Sequence, residues 1–233
     1  MTINVDADEI RKFSDLAHRW WDPQSEFRPL HEINPLRLAW IDEIAHLRGK
    51  AVVDVGCGGG VLAEAMAKRG ASVKGIDLAE RPLKVAQLHL VESKLEVDYE
   101  QVAPEKLAER EPGAYDVVTC MEVLEHVPDP ASTVAACAAL AKPGGHCFFA
   151  TLNRNPKSYL FAIIGAEYVL NLLPRGTHQW SKFIKPSELA SFARRAGLDV
   201  GSLIGMNYNP VTKIYSLGRD TDVNYILHAT RPA

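Results

Sequence analysis

A chain of 233 residues with 47% hydrophobic content can bury one full core, which excludes a compositionally disordered protein. Its net charge of −3 excludes a surface built generally to coat nucleic acid. Met1–Lys12 is largely polar and charged, with no signal-like apolar stretch. Cys57, Cys120, Cys137 and Cys147 form no C-x-x-C pair and fall within or beside expected core elements, which reads as buried free thiols in a reducing cytosol.

In chain order, the first 48 residues read as helical. Phe13, Leu16, Ala17 and Trp20 follow i, i+3, i+4, i+7 spacing, one face of a helix beginning near Asp6 or Asp8 and broken at Trp20-Trp21-Asp22-Pro23. A second helix is expected with Asn34 as N-cap and Pro35 as first residue, carrying Leu38, Ile41, Ile44 and Ala45 inward. From Lys50 strands and helices alternate. Val52–Val55, Val73–Ile76, Val97–Glu100, Val117–Cys120 and Cys147–Thr151 read as strands, with helical patterns over 61–69, 81–93, 104–110 and 131–141. Lys142-Pro143-Gly144-Gly145 reads as the turn into the fifth strand. An excursion at 153–180 precedes a helix (Pro186 to Ala196) and two late strands, about 200–206 and 223–230. The alternation predicts an α/β fold, a Rossmann-like doubly wound, mostly parallel sheet of seven strands with N-terminal helices and a helical lid insertion. The whole chain, 1–233, reads as a single domain: an N-terminal helical cap (1–48), a cofactor-binding βα core (49–152), an apolar insertion (153–180) and a final part of the sheet (181–233).

The densest information lies at 49–60, Gly-Lys-Ala-Val-Val-Asp-Val-Gly-Cys-Gly-Gly-Gly. A β-branched strand stops at a glycine turn and a helix follows, so unpaired backbone N–H groups and the positive helix end can face a ligand. Asp77 closes the next strand, where a carboxylate can grip ribose hydroxyls. The dinucleotide fingerprint wants a third glycine where Val61 stands, and Asp54 precedes Gly56 and Gly58 by two and four positions. D-x-G-x-G-x-G followed by a strand ending in Asp resembles the glycine motif of the Rossmann-like S-adenosylmethionine methyltransferases. An NAD-linked oxidoreductase is thereby disfavoured.

Cys120-Met121-Glu122-Val123-Leu124-Glu125-His126-Val127-Pro128-Asp129 begins where the fourth strand should end, at the ligand-binding edge of such a sheet. A phenol of pKa ~10 is ionised roughly one part in a thousand at pH 7, a barrier of about 4 kcal/mol. A base such as His126 can remove that proton, with Glu122 beside it. Alternatively, Glu122, Glu125 and His126, at i, i+3 and i+4, can converge on a Mg²⁺ ion that holds a catecholate.

Arg19-Trp20-Trp21-Asp22, Ile33-Asn34-Pro35-Leu36-Arg37-Leu38, the glycine loop, Cys120–Pro130, Thr151-Leu152-Asn153-Arg154-Asn155 and Asp222-Val223-Asn224-Tyr225 together resemble the ubiquinone biosynthesis O-methyltransferases. The resemblance covers almost the whole chain. It implies S-adenosylmethionine as methyl donor, with cofactor contacts at Arg37, Gly56, Asp77 and Met121, and a final strand that runs antiparallel. It also implies catechol-type hydroxyls of polyprenylated ubiquinone precursors as acceptors, methylated at both O-methylation steps. Some members are described with magnesium at a motif matching Glu122, Glu125 and His126.

A polyprenyl acceptor must be met at a bilayer or through a carrier. Tyr159 to Leu173 carries Glu167 as its only charge, with Arg154 and Lys157 before it and Arg175, His178 and Lys182 after it. As a helix it would span ~22 Å, short of the ~30 Å hydrocarbon core. Residues 158–174 are therefore expected to act as a lid whose apolar face touches anionic membrane, placing the protein peripherally on the inner face, with other ubiquinone-synthesis enzymes as candidate partners. The rivals are a C-methyltransferase, another small-phenol O-methyltransferase, or a non-catalytic cofactor-binding subunit.

Overall fold

The computed structural model describes residues 4–159 and 180–233; the insertion expected at 158–174 falls almost wholly outside them. Helix α1 (Ala7–Leu16) is capped by Asp6, whose carboxylate accepts the Asp8 and Glu9 N–H groups. A short 3₁₀ turn, Ala17–Arg19, and helix α2 (Arg28–Ala45) follow. The core alternates as expected: β1 (Ala51–Val55), α3 (Val61–Lys68), β2 (Ser72–Asp77), α4 (Glu80–Ser93), β3 (Val97–Gln101), α5 (Pro104–Arg110), β4 (Tyr115–Met121), α6 (Pro130–Leu140) and β5 (Ala141–Leu152). The one-turn α7 (Pro156–Ser158), helix α8 (Pro186–Arg195), β6 (Asp199–Asn209), β7 (Ile214–Gly218) and β8 (Asn224–Thr230) complete it.

These strands form one sheet in the order β3-β2-β1-β4-β5-β8-β6-β7, parallel from β3 to β5. The last strand in sequence, β8, runs antiparallel to β5, as the family resemblance implied. Strand order reverses between β1 and β4, so their carboxyl ends open a crevice there. Successive residues of a strand point to opposite faces. Val53 and Val55 of β1 pack with Leu107, Leu140 and Leu189 on one side, and Val52 packs with Leu62, Met66 and Ile41 on the other.

Three expectations need correction. The sheet has eight strands, not seven, because β6 runs on to Asn209 and returns as β7. Asn209 Oδ1 accepts the Val211 and Thr212 N–H groups and so closes that hairpin, a local turn masked by Pro210. Helix α2 begins at Arg28, with Pro29 in its first turn and Pro35 inside it, so Asn34 is not its cap. Proline removes one backbone bond there, yet Ile33, Asn34, Arg37 and Leu38 are all buried, and that packing outweighs the loss. Residues 142–145 do not precede β5 as a separate turn but interrupt it, the ladder jumping from Tyr115–Ala141 to Val117–His146.

Behind the sheet's working edge, His146 Nδ1 lies 3.0 Å from His228 Nε2. Burial, then the neighbouring His146, pushes His228 down to about 4 from 6.5. The unfolded chain therefore binds the extra proton first. The stability His228 contributes is present above pH ~6.5 and is lost as pH falls towards 4, an effect of about 3 kcal/mol. Urea midpoints measured from pH 7 to 4.5 should fall more steeply for the wild type than for His228→Phe; parallel curves would refute the assignment.

Candidate active site

The glycine turn after β1 is held from beneath. Gly56 N and Cys57 N both donate to Ile76 O at 2.8 and 3.0 Å. Gly58 N donates to Asp77 Oδ2 at 2.9 Å, and Ala79 N to Asp77 Oδ1 at 2.8 Å. A carboxylate offers about four lone-pair sites, so Asp77 braces the loop and still presents acceptors to the cavity it lines. Gly56 sits at φ 71°, and a Cβ there would collide with Val123 of the loop after β4. The two loops thus touch across the crevice.

Above the loop lies a clamp that sequence reasoning missed. The Trp20 ring covers Gly58 and Gly59, where any Cβ would strike it. Trp21 Nε1 donates to Gly59 O at 2.9 Å, and its ring stacks on His89 at 3.4 Å. His31 meets Trp20 O through Nε2 at 2.8 Å and so braces that turn. The Trp-Trp doublet was legible as a break in a helix; its target was not.

Asp54 is 3% exposed and accepts a hydrogen bond from Thr119 Oγ1 at 2.7 Å. Burial pushes its carboxyl up to about 6, while Thr119 and Arg37 pull the other way. Arg37 reaches the same crevice from α2 and is 4% exposed. Among the described residues its only side-chain hydrogen bond is Nε–H to Asn34 Oδ1 at 3.1 Å. A buried guanidinium with five donors and one hydrogen-bonding partner, lining a cavity, is prepared for an anionic ligand group. Arg37→Met should therefore raise the Kd for S-adenosylmethionine, the methyl donor that the family resemblance implies, roughly a hundredfold. The melting temperature of the ligand-free protein should barely change, because removing the charge also removes its desolvation cost. Calorimetric titration and thermal melts read the two effects separately; an unchanged Kd would refute the role.

Met121 ends β4, buried at the same cavity, whose volume is about 920 Å³. Glu122 follows at φ 57°, a left-handed conformation uncommon for a residue with a Cβ. Its carboxylate accepts from Asn224 Nδ2 of β8 at 3.1 and 3.3 Å. Glu125 is 3% exposed; its Oε2 accepts from Thr151 Oγ1 at 2.8 Å, and its Oε1 has no hydrogen-bond partner. Burial, then the Glu122 carboxylate, pushes the Glu125 carboxyl well above its usual range.

His126 closes the 3₁₀ turn Leu124–His126, and its Nδ1 lies 2.8 Å from Glu9 Oε2 of α1. This corrects the expected convergence of Glu122, Glu125 and His126 on magnesium. On a 3₁₀ turn entered through a left-handed residue, i, i+3 and i+4 need not share one face. Glu122 and Glu125 still meet, the one also bonded to β8 and the other to β5, but His126 turns away to α1. Among the described residues no three histidine, cysteine or carboxylate groups are placed to hold a metal ion. The residues as arranged do not fit one.

A methyltransferase-domain family profile matches residues 16–203. The ubiquinone biosynthesis O-methyltransferase of Nitrosospira multiformis is 69% identical over 97% of this chain and 95% of its own length. That of Thiobacillus denitrificans is 68% identical over 99% of both. This chain belongs to the ubiquinone biosynthesis O-methyltransferases. Among solved structures, the Synechocystis magnesium protoporphyrin IX methyltransferase with bound S-adenosylhomocysteine superposes with a TM-score of 0.67 at 21% identity, covering 96% of this chain and 93% of that one, a likeness of fold. As a member of this O-methyltransferase family the protein is an S-adenosylmethionine-dependent methyltransferase. Members' names carry no geometry. The structure adds Glu9 and gives partners to Asn224, Trp20 and Trp21, which the sequence offered only within motifs that carry the resemblance. Their partners lie 38 to 117 positions away in sequence, beyond any local spacing rule.

Proposed function

We propose that the enzyme methylates a catechol-type hydroxyl of a polyprenylated ubiquinone precursor at both O-methylation steps, with His126 as general base. The observation that carries this reading is the placement of His126 in the wall of the cavity shared with Asp54, Arg37, Gly56, Gly58, Asp77 and Met121. S-Adenosylmethionine, when bound, supplies an electrophilic methyl on a sulfonium. Asp77 is suited to its ribose and Arg37 to its carboxylate, with Asp54 a counter-charge beside them; Gly56 and Gly58 leave room for the backbone to approach. A proton on Nδ1, facing Glu9, leaves the lone pair of His126 on Nε2. The phenol proton passes to that nitrogen and the oxygen becomes the nucleophile. Glu122, held by Asn224, is a second acceptor on the same side and can orient the neighbouring hydroxyl. Apolar side chains at Phe13, Leu16, Phe27, Leu30 and Ile33 also line the cavity and suit an isoprenoid tail.

No step is assigned to a metal, since the residues do not assemble round one. Peripheral contact with the inner face of the membrane through 158–174 remains part of the proposal, supported by the sequence of that segment. No helix of the described residues is long and apolar enough to cross a bilayer. Turnover of a short-chain catechol precursor with labelled cofactor tests the function. Label on oxygen supports it; label on ring carbon makes the enzyme a C-methyltransferase, and binding without turnover makes it a cofactor-holding subunit. Loss of turnover to a chelator, restored by magnesium, would move the proton-removing role from His126 to a rearranged Glu122–Glu125 cation site.

A further inference from the structure

Helix α1 is fastened to the loop that carries His126. Asn4 Nδ2 donates to Asp129 O at 2.7 Å and to Thr133 Oγ1 at 3.1 Å, and Asp129 N donates back to Asn4 Oδ1 at 2.8 Å. Lys182 Nζ reaches the capping carboxylate, Asp6 Oδ2, at 3.0 Å. This anchorage delivers Glu9, from the first turn of α1, to His126 across 117 positions of sequence. The pair is shielded, Glu9 and His126 side chains being 14% and 15% exposed, and the edge of Phe13 packs against the imidazole at 5.2 Å. Both lie in the cavity wall.

We propose that Glu9 is a positioning residue for methyl transfer, orienting the His126 ring and stabilising the imidazolium that forms when the phenol proton arrives. The inference rests on the reading of His126 as the base. Glu9 accepts no proton itself: the phenol proton ends on His126, and the carboxylate stays ionised opposite it. The hydrogen bond from His126 already holds the Glu9 carboxyl below its usual range, consistent with a carboxylate at working pH. A carboxylate behind an imidazole fixes its tautomer and lowers the energy of the charged ring, an arrangement that recurs on unrelated folds. Here it comes from a helix preceding the cofactor core, so docking of α1 completes the base.

The test compares Glu9→Gln, Glu9→Ala, Lys182→Met and His126→Asn in steady-state turnover, with melting curves to show that each folds. Glu9→Gln keeps the shape but not the charge and should lower kcat roughly ten- to a hundredfold, part of the 10²–10⁴ that a base supplies. KM for catechol and cofactor should stay within about twofold, and added formate should restore part of the rate to Glu9→Ala, which a purely structural role would not allow. Lys182→Met removes one fastening of α1 while Asn4 still holds the helix to Asp129 and Thr133, so it should lower kcat less than Glu9→Gln does. Wild-type kcat in Glu9→Gln would overturn the proposal. If His126→Asn turns over normally the base reading fails as well; if His126→Asn is slow and Glu9→Gln is not, the Glu9 assignment alone fails.

Discussion

His126→Ala should lower kcat by roughly 10²–10⁴ at pH 7 while leaving the affinity for S-adenosylmethionine within a few-fold. In the proposed reading the base does not help hold the cofactor, whose suited groups lie at the ends of β1, β2 and β4 and on α2. The defect should also shrink with pH. A catechol of pKa ~10 gains about tenfold in ionised fraction for each unit from 7 towards 10, so the variant rate should climb along that line. The wild-type rate, supplied with its own proton acceptor, should climb much less. Stopped-time product assays at pH 7, 8, 9 and 10 separate the two profiles. Parallel profiles would mean that His126 packs against Phe13 and Glu9 without taking the proton.

Gly56→Ala should weaken cofactor binding about a hundredfold or more. Two costs combine at this position. The backbone sits at φ 71°, where a residue with a Cβ carries roughly 1–3 kcal/mol of strain. The added methyl also meets both Val123 Cγ atoms, and overpacking of this kind typically costs 1–3 kcal/mol. The chain can relieve them only by separating the loop after β1 from the loop after β4, which spreads the cofactor-facing wall. Combining Gly56→Ala with Val123→Ala removes the collision and leaves the backbone strain, so the double variant should recover about half of the lost binding energy. Full recovery would show that φ is not limiting, and wild-type affinity in Gly56→Ala alone would refute the close approach of the two loops.

The alternation of strands and helices was legible because parallel strands buried on both faces read as short β-branched runs, as in Val52, Val53 and Val55. The glycine loop was legible for a local reason too, since backbone needing positive φ selects glycine at Gly56, Gly58 and Gly60. Helix α2 was misread at its start because proline at N1 is a strong local signal, overridden here by burial of Ile33 and Arg37 on either side of Pro35. The spacing of Glu122, Glu125 and His126 misled for a similar reason. It implies a shared face only on a regular helix, and the chain instead makes a 3₁₀ turn after a left-handed residue.

By itself the sequence determined the fold class, the cofactor loop and the family, since each rests on contacts between neighbours in the chain or on the pattern of the whole. Tertiary structure alone decided where the side chains of the proposed acceptor site point. His126 turned to Glu9, Glu122 to Asn224 and Glu125 to Thr151 because buried carboxylates and imidazoles must find partners, and those partners were brought by α1, β8 and β5 from distant parts of the chain.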